Sequence, residues 1–167
     1  MTLSYPRKRW SDTAETWIEL HLYGGRIPEI TYQSRGVGRP TLKDPLLLLG
    51  EHTVELDFNK HAFRAKARAL KLAHQGRTYE YVATGANKGG TLRGSAVEIT
   101  TTRNKNPTGK GVSTFGSATG EVDAIDLALA ILFEEVDTFD LTSFGATATA
   151  LNKIRNLARA NESASMD

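Results

Sequence analysis

EVDAIDLALAILFEEVDTF, residues 121–139, is the stretch that decides how this chain folds. Its middle, 127–133, is seven apolar residues in succession, with Asp123 and Asp126 before them and Glu134, Glu135 and Asp137 after. Length and Ala/Leu content predict a helix over 122–138. Asp123 can serve as its N-cap, and Asp126 three residues on suits the positive end of the helix dipole. The acids at the far end oppose the dipole, at a cost on the order of a few tenths of a kcal/mol when solvated. A helix apolar on every side must be surrounded. The residues before it read mostly as short strands, so the expectation is a sheet wrapped around this rod.

Those strands are read from a period of two. In 17–23, Ile18, Leu20 and Leu22 alternate with Glu19 and His21. Gly24-Gly25 follows at hairpin spacing, and 26–32 can return as the partner strand. Pro28 cannot donate to a ladder, which predicts an edge or a bulge there. Residues 33–44, with Gly36, Gly38 and Pro40, form a loop. The run 46–49, the alternating 54–58, the pair Tyr79 and Tyr81 in 77–82, the alternating 96–102 and the short 112–115 complete the strand set. Residues 85–94 read as a glycine-rich turn and 103–111 as a basic loop. Residues 1–14 form a flexible arm carrying Arg7, Lys8 and Arg9.

One segment reads two ways. HAFRAKARALKLAH, 61–74, is rich in helix-forming Ala, Arg, Lys and Leu. Yet Phe63, Ala65, Ala67 and Ala69 alternate with Arg64, Lys66 and Arg68, as in a strand. The residues alone leave helix and strand open.

At 167 residues the chain fits one domain with an ordinary core. It has no cysteine, which excludes disulfides, thiolate metal sites and a cysteine nucleophile and is compatible with a reducing cytoplasm. The N-terminus has no apolar run of the secretory kind. The apolar part of 121–139 is shorter than the roughly 20 residues of a membrane span. The expected location is cytoplasmic, soluble or peripheral to a membrane. The net charge of +2 conceals an asymmetry: residues 1–111 hold 18 Lys and Arg against 10 Asp and Glu, residues 112–167 hold 3 against 9. Such a split can mark an anionic partner, or two parts that dock on each other.

Motifs for catalysis fail in turn. Gly85 and Gly90 have the outer spacing of a phosphate loop, but Thr91 stands where lysine is needed and no helix follows. Lys110 in 107–111 lacks the same frame. The four histidines, His21, His52, His61 and His74, are scattered, with no metal-ligand spacing. Gly116-Ser117 lacks the closing glycine of a nucleophile elbow. The carboxylates flanking 127–133 read as solvated helix ends. No cofactor, metal or catalytic residue is expected. The basic residues carry more: with 62–72 as a strand, Arg64, Lys66 and Arg68 project from one face about 7 Å apart. Arg103, Lys105 and Lys110 add a basic loop. Together they can face lipid headgroups or another anion; nucleic acid is disfavoured because no aromatic interleaves them.

Two stretches, 63–72 with 76–82 (FRAKARALKL, then GRTYEYV) and 126–133 (DLALAILF), resemble the tubby C-terminal-like superfamily, in its phospholipid scramblase and LURP-one-related branch. The resemblance covers roughly 16–140. It implies a closed antiparallel barrel threaded by an apolar helix, and it tips 62–72 toward strand. The scramblase cysteine cluster is missing, so that activity is not implied, and an extra helix after the central one departs from the family pattern.

The expectation is therefore a β-rich α+β fold: an antiparallel barrel or strongly curved sheet over 15–142 around helix 122–138. Phe58, Tyr79, Tyr81, Val97 and Ile99 should form the wall and Leu127, Leu129, Ile131, Leu132 and Phe133 the plug. A peripheral amphipathic helix should occupy 143–160, its core 146–160, with a disordered tail at 161–167. The first functional expectation is a non-enzymatic binding or scaffold module engaging an anionic partner, membrane headgroups foremost. The alternative is a structural subunit of a larger assembly, such as a phage or injection particle, touching other protein chains. An enzyme with carboxylates gathered by the fold comes last.

Overall fold

Period-two patterning produces eleven strands among the described residues, arranged as two antiparallel sheets. The structure is a computed structural model describing residues 2–4, 15–62, 64–105, 112–145 and 147–148. Sheet 1 holds β1 (Thr2–Ser4), β2 (Thr16–Gly24), β3 (Ile27–Gly36), β4 (Lys43–Leu49) and β5 (His52–Val54), in that order. Sheet 2 holds β6 (Leu56–Asp57), β7 (Leu70–His74), β8 (Arg77–Ala83), β9 (Gly90–Arg93), β10 (Val97–Lys105) and β11 (Val112–Gly120), again in sequence order. The helix α1 (Ala124–Glu135) follows.

Alternate residues point to opposite faces, and one face of each sheet is apolar. Leu20, Leu22, Ile30, Tyr32, Leu47 and Leu49 of sheet 1 share one core with Leu70, Leu72, Tyr79, Tyr81, Leu92 and Ile99 of sheet 2. Leu129, Leu132 and Phe133 of α1 belong to the same core, and the Phe133 ring lies 5.0 Å from that of Tyr81. The helix packs on β3 of sheet 1 and on β9 and β10 of sheet 2. Gly90 is required where this packing is tightest: a Cβ there would lie 2.4 Å from the Tyr81 ring.

Among the described residues a closed barrel is not seen. No pairing joins the two sheets among the described residues, and the sheets are not strongly curled. The plug is corrected accordingly. Leu129, Leu132 and Phe133 are buried, but Leu127 and Ile131, one helical turn apart, are 43% and 36% exposed. Because the wall is two sheets rather than a ring, one stripe of the helix stays uncovered. Of the expected wall, Tyr79, Tyr81 and Ile99 are buried, while Phe58 and Val97 are partly so.

Residues 64–72 form neither a helix nor one continuous strand, and Phe63 lies outside the described residues. Ala65–Arg68 is a single 3-10 turn, and β7 begins only at Leu70. β3 is an interior strand, but Pro28 lies beyond its ladder with β4 and has no partner on that side among the described residues. The ladder to β4 starts at Ile30, and the register with β2 shifts between Leu22 and Gly24, so the bulge expected near the proline is present. Part of the expected arm, Thr2–Ser4, pairs with β2. Gly90–Arg93 is a strand rather than turn, and β10 carries Arg103 and Lys105, which were expected on a loop. Residues 143–145 and 147–148 are helical; the rest of the expected C-terminal helix and the tail lie outside the described residues.

Candidate functional site

The three-cation stripe expected over 64–68 is dismantled by the 3-10 turn. Arg64 and Lys66 are exposed, but Arg68 is turned inward and only 1% exposed. Its guanidinium donates three bonds to backbone: Nε to the Asp140 carbonyl at 2.6 Å, and Nη1 to those of Lys60 at 2.6 Å and Ala62 at 2.9 Å. A buried cation needs such partners. Arg68 thereby fastens the loop before β7 to the turn that follows α1. The cationic set that remains is Lys60, Arg64 and Lys66 on one loop whose sequence from Phe58 to Lys71 contains no acid. None of the three forms an ion pair among the described residues, and the Lys60 ammonium lies 5.6 Å from the centre of the Phe58 ring.

Arg103 does a different job from the one expected. Its Nη1 donates to the Glu134 carbonyl at 2.5 Å, and its Nη2 lies 3.8 Å from the Glu135 carboxylate. Arg39, which the sequence reading passed over, joins it. Arg39 donates to the carbonyls of Glu134 at 2.6 Å and Glu135 at 3.0 Å, and to the Asn87 side chain at 2.6 Å. Two arginines thus satisfy the last carbonyls of α1 and complement the negative end of its dipole. The signal was present in the sequence: an acidic helix C-terminus calls for cations from elsewhere. The Glu134 carboxylate is buried and accepts from the Thr101 hydroxyl. Burial, and then this carboxylate, push the Tyr81 phenol above its usual range. Lys110, Arg7, Lys8 and Arg9 lie outside the described residues, as does the side chain of Lys105.

The other end of α1 carries the expected Asp123 N-cap, which Asp126 closes into a reciprocal capping box. The Asp123 carboxylate accepts from the N–H groups of Ile125 and Asp126, and Asp126 accepts from the Asp123 N–H. Buried Asp126 also accepts from the Tyr79 hydroxyl at 2.8 Å, and Arg77 bonds Asp123 at 2.5 Å. Burial raises Asp123, but the Asp126 N–H and the Arg77 guanidinium outweigh it and hold the carboxyl below its ordinary value. Both carboxylates are engaged in the cap, and Asp126 and Glu134, expected among solvated helix ends, are buried.

A depression of about 560 Å³ lies over the outer face of β6 to β9 and is lined by Glu55, Asp57, Lys71, Glu80 and Arg93 among others. The register explains its character. Asp57 faces Lys71, Lys71 faces Glu80, Glu80 faces Arg93, and Arg93 faces Glu98, so charge alternates across five strands. The groove is open and its charges are mutually compensated. That arrangement suits a solvated surface better than a reaction. Among the described residues no three His, Asp or Glu groups converge as metal ligands. No described helix is long and apolar enough to cross a membrane.

Compared with protein-family models, curated proteins and solved structures, the chain matches none.

Proposed function

We propose that this protein is a non-enzymatic binding or scaffold module whose loop before β7 engages an anionic partner, membrane headgroups foremost, from a cytoplasmic location. The single observation carrying the reading is the acid-free loop with Lys60, Arg64 and Lys66 exposed and Arg68 pinning it from beneath. Tying the Lys60 and Ala62 carbonyls to Arg68 lowers the cost of ordering the neighbouring cations on each encounter. The likeness to the tubby C-terminal-like superfamily is supported by an apolar helix packed among the antiparallel strands before it, and opposed by the separation of the two sheets.

Sedimentation with phosphatidylserine-containing vesicles tests this. Binding should fall with added salt and weaken roughly thirtyfold in Arg64→Gln/Lys66→Gln, at about 1 kcal/mol per cation near an anionic surface. Failure to sediment with those vesicles, or equal sedimentation with neutral ones, removes the headgroup reading. Arg68→Met belongs to a different test: it leaves three carbonyls without their donor and should cost about 2–4 kcal/mol of stability.

A second reading, a subunit of a larger assembly, is favoured by the free edge of β11. That strand is nine residues long and pairs only with β10 among the described residues.

A further inference from the structure

We propose that β11 pairs with β11 of a second copy, antiparallel about Gly116, joining two copies of sheet 2 edge to edge. The inference rests on the assembly reading above and gives it a partner and a register.

Long exposed edges are normally blunted by charge, proline or brevity. The other edges follow that rule: β1 and β5 have three residues each and β6 has two. β11, VSTFGSATG, breaks it, with nine residues and neither a charge nor a proline. No described residue covers its inner side either: Thr114, Gly116 and Ala118 are exposed, and Phe115 on the opposite side is 65% exposed.

The hydrogen bonds of β10 say which atoms of β11 are free. Gly94 N–H donates to the Val97 carbonyl at 2.8 Å, and Arg103 N–H to the Lys88 carbonyl at 3.1 Å, so odd-numbered residues of β10 bond toward β9. In an antiparallel ladder the direction alternates, so the even residues Glu98, Thr100, Thr102 and Asn104 bond Thr119, Ser117, Phe115 and Ser113. Residues 112, 114, 116, 118 and 120 therefore aim their N–H and C=O groups at the open edge.

A two-fold pairing centred on Gly116 sets 112 against 120, 114 against 118, and 116 against itself. Every pair matches one edge-directed residue with another, and the overlap is the longest the strand allows. Shifting the register by one residue would set edge-directed groups against groups already bonded to β10. Self-pairing also brings no charge against a like charge. Phe115 falls opposite Ser117 of the second copy and diagonal to its Phe115, within aromatic reach at about 7–8 Å. With the other edges so short, the contact closes as a dimer rather than extending into a filament.

The test uses the pair 114 and 118. In Thr114→Lys/Ala118→Lys, both juxtapositions across the two-fold become lysine against lysine. In Thr114→Lys/Ala118→Glu, the same positions become lysine against glutamate. Sedimentation equilibrium over a concentration series should give a concentration-dependent dimer for the native chain. The first variant should raise the dissociation constant roughly tenfold, and the second should return it to within a few-fold of native. A native chain that stays monomeric at every concentration overturns both the pairing and the assembly reading. Oligomers unaffected by the lysine pair, or not restored by the glutamate, overturn the pairing while leaving assembly through another surface in place.

Discussion

The two ends of sheet 2 are built from opposite materials. Across β6 to β9 the inner face carries Leu70, Leu72, Tyr79, Tyr81 and Leu92 in the core, and the outer face carries a row of alternating charges. At β11 the inner face carries Thr114, Gly116 and Ala118 over no core, and the strand has no charge at all. The first end is finished for water: apolar surface is covered and polar surface compensates itself. Among the described residues the second end keeps a full row of unpaired backbone groups, with no charge or proline to discourage a visiting strand. The contrast teaches that a sheet can be complete as a fold at one end and incomplete as a surface at the other.

The largest expected effect tests whether stability really resides at the covered end. Leu129 is fully buried in the core that α1 shares with both sheets. Leu129→Ala should cost about 2–5 kcal/mol, and Leu129→Asp should leave no folded protein, since an unpaired charge cannot be accommodated there. Thr114→Lys/Ala118→Lys, at the bare end, should change monomer stability by only about 0.5 kcal/mol. Urea unfolding of the three variants decides it. Comparable losses at both ends would mean that β11 is part of the folding unit and the contrast is false.

A moderate effect comes from His74, the last residue of β7, which is buried with its ring 6.0 Å from that of His52. Burial first, and then the charges of His52 and Arg77, hold its pKa below the ordinary 6.5. The folded chain thus prefers the neutral ring, while the unfolded chain takes up a proton near 6.5. This contribution to stability is intact above that pH. It is lost as pH falls from about 6.5 toward the lower folded value, because protons bind the unfolded state first. The urea midpoint should decline as pH falls through the ordinary 6.5 toward the lower folded value, and His74→Gln should flatten that decline. An unchanged slope in the variant would remove histidine from the account of this end.

Much of this contrast was legible in the sequence. Alternation in 17–23, 77–82 and 96–102 places β2, β8 and β10, because a half-buried strand imposes its period directly. The Asp123 N-cap was equally plain, since its partners are local, whereas the reciprocal bond from Asp126 was read only as a favourable charge. The closure of the wall was not legible: nothing in 121–139 distinguishes a rod enclosed all round from one leaving Leu127 and Ile131 uncovered, which depends on sheets far away in sequence. The fate of Arg68 was hidden for the same reason. Its spacing from Arg64 and Lys66 suggests a shared face, yet its partners, Asp140 among them, are supplied by a tertiary contact. The unblunted edge of β11 could be suspected from its lack of charge, but only the register shows which of its atoms are free.

The smallest effect probes the charge row itself. Arg93 Nε and Glu98 Oε2 are 2.7 Å apart, with both side chains about half exposed at 46% and 47%. A double-mutant cycle on the pair should return about 0.2–1 kcal/mol, shrinking with salt, because solvent screens exposed ions and two long side chains must be ordered. Reversing one member should cost more than deleting it. Lys71→Glu sets an acid between Asp57 and Glu80, three like charges in register, so it should destabilise by more than Lys71→Ala. If the cycle returns zero and the reversal is harmless, the alternating row contributes nothing energetically to the covered end. The difference between the two ends of sheet 2 then reduces to what lies beneath them and which backbone groups remain free.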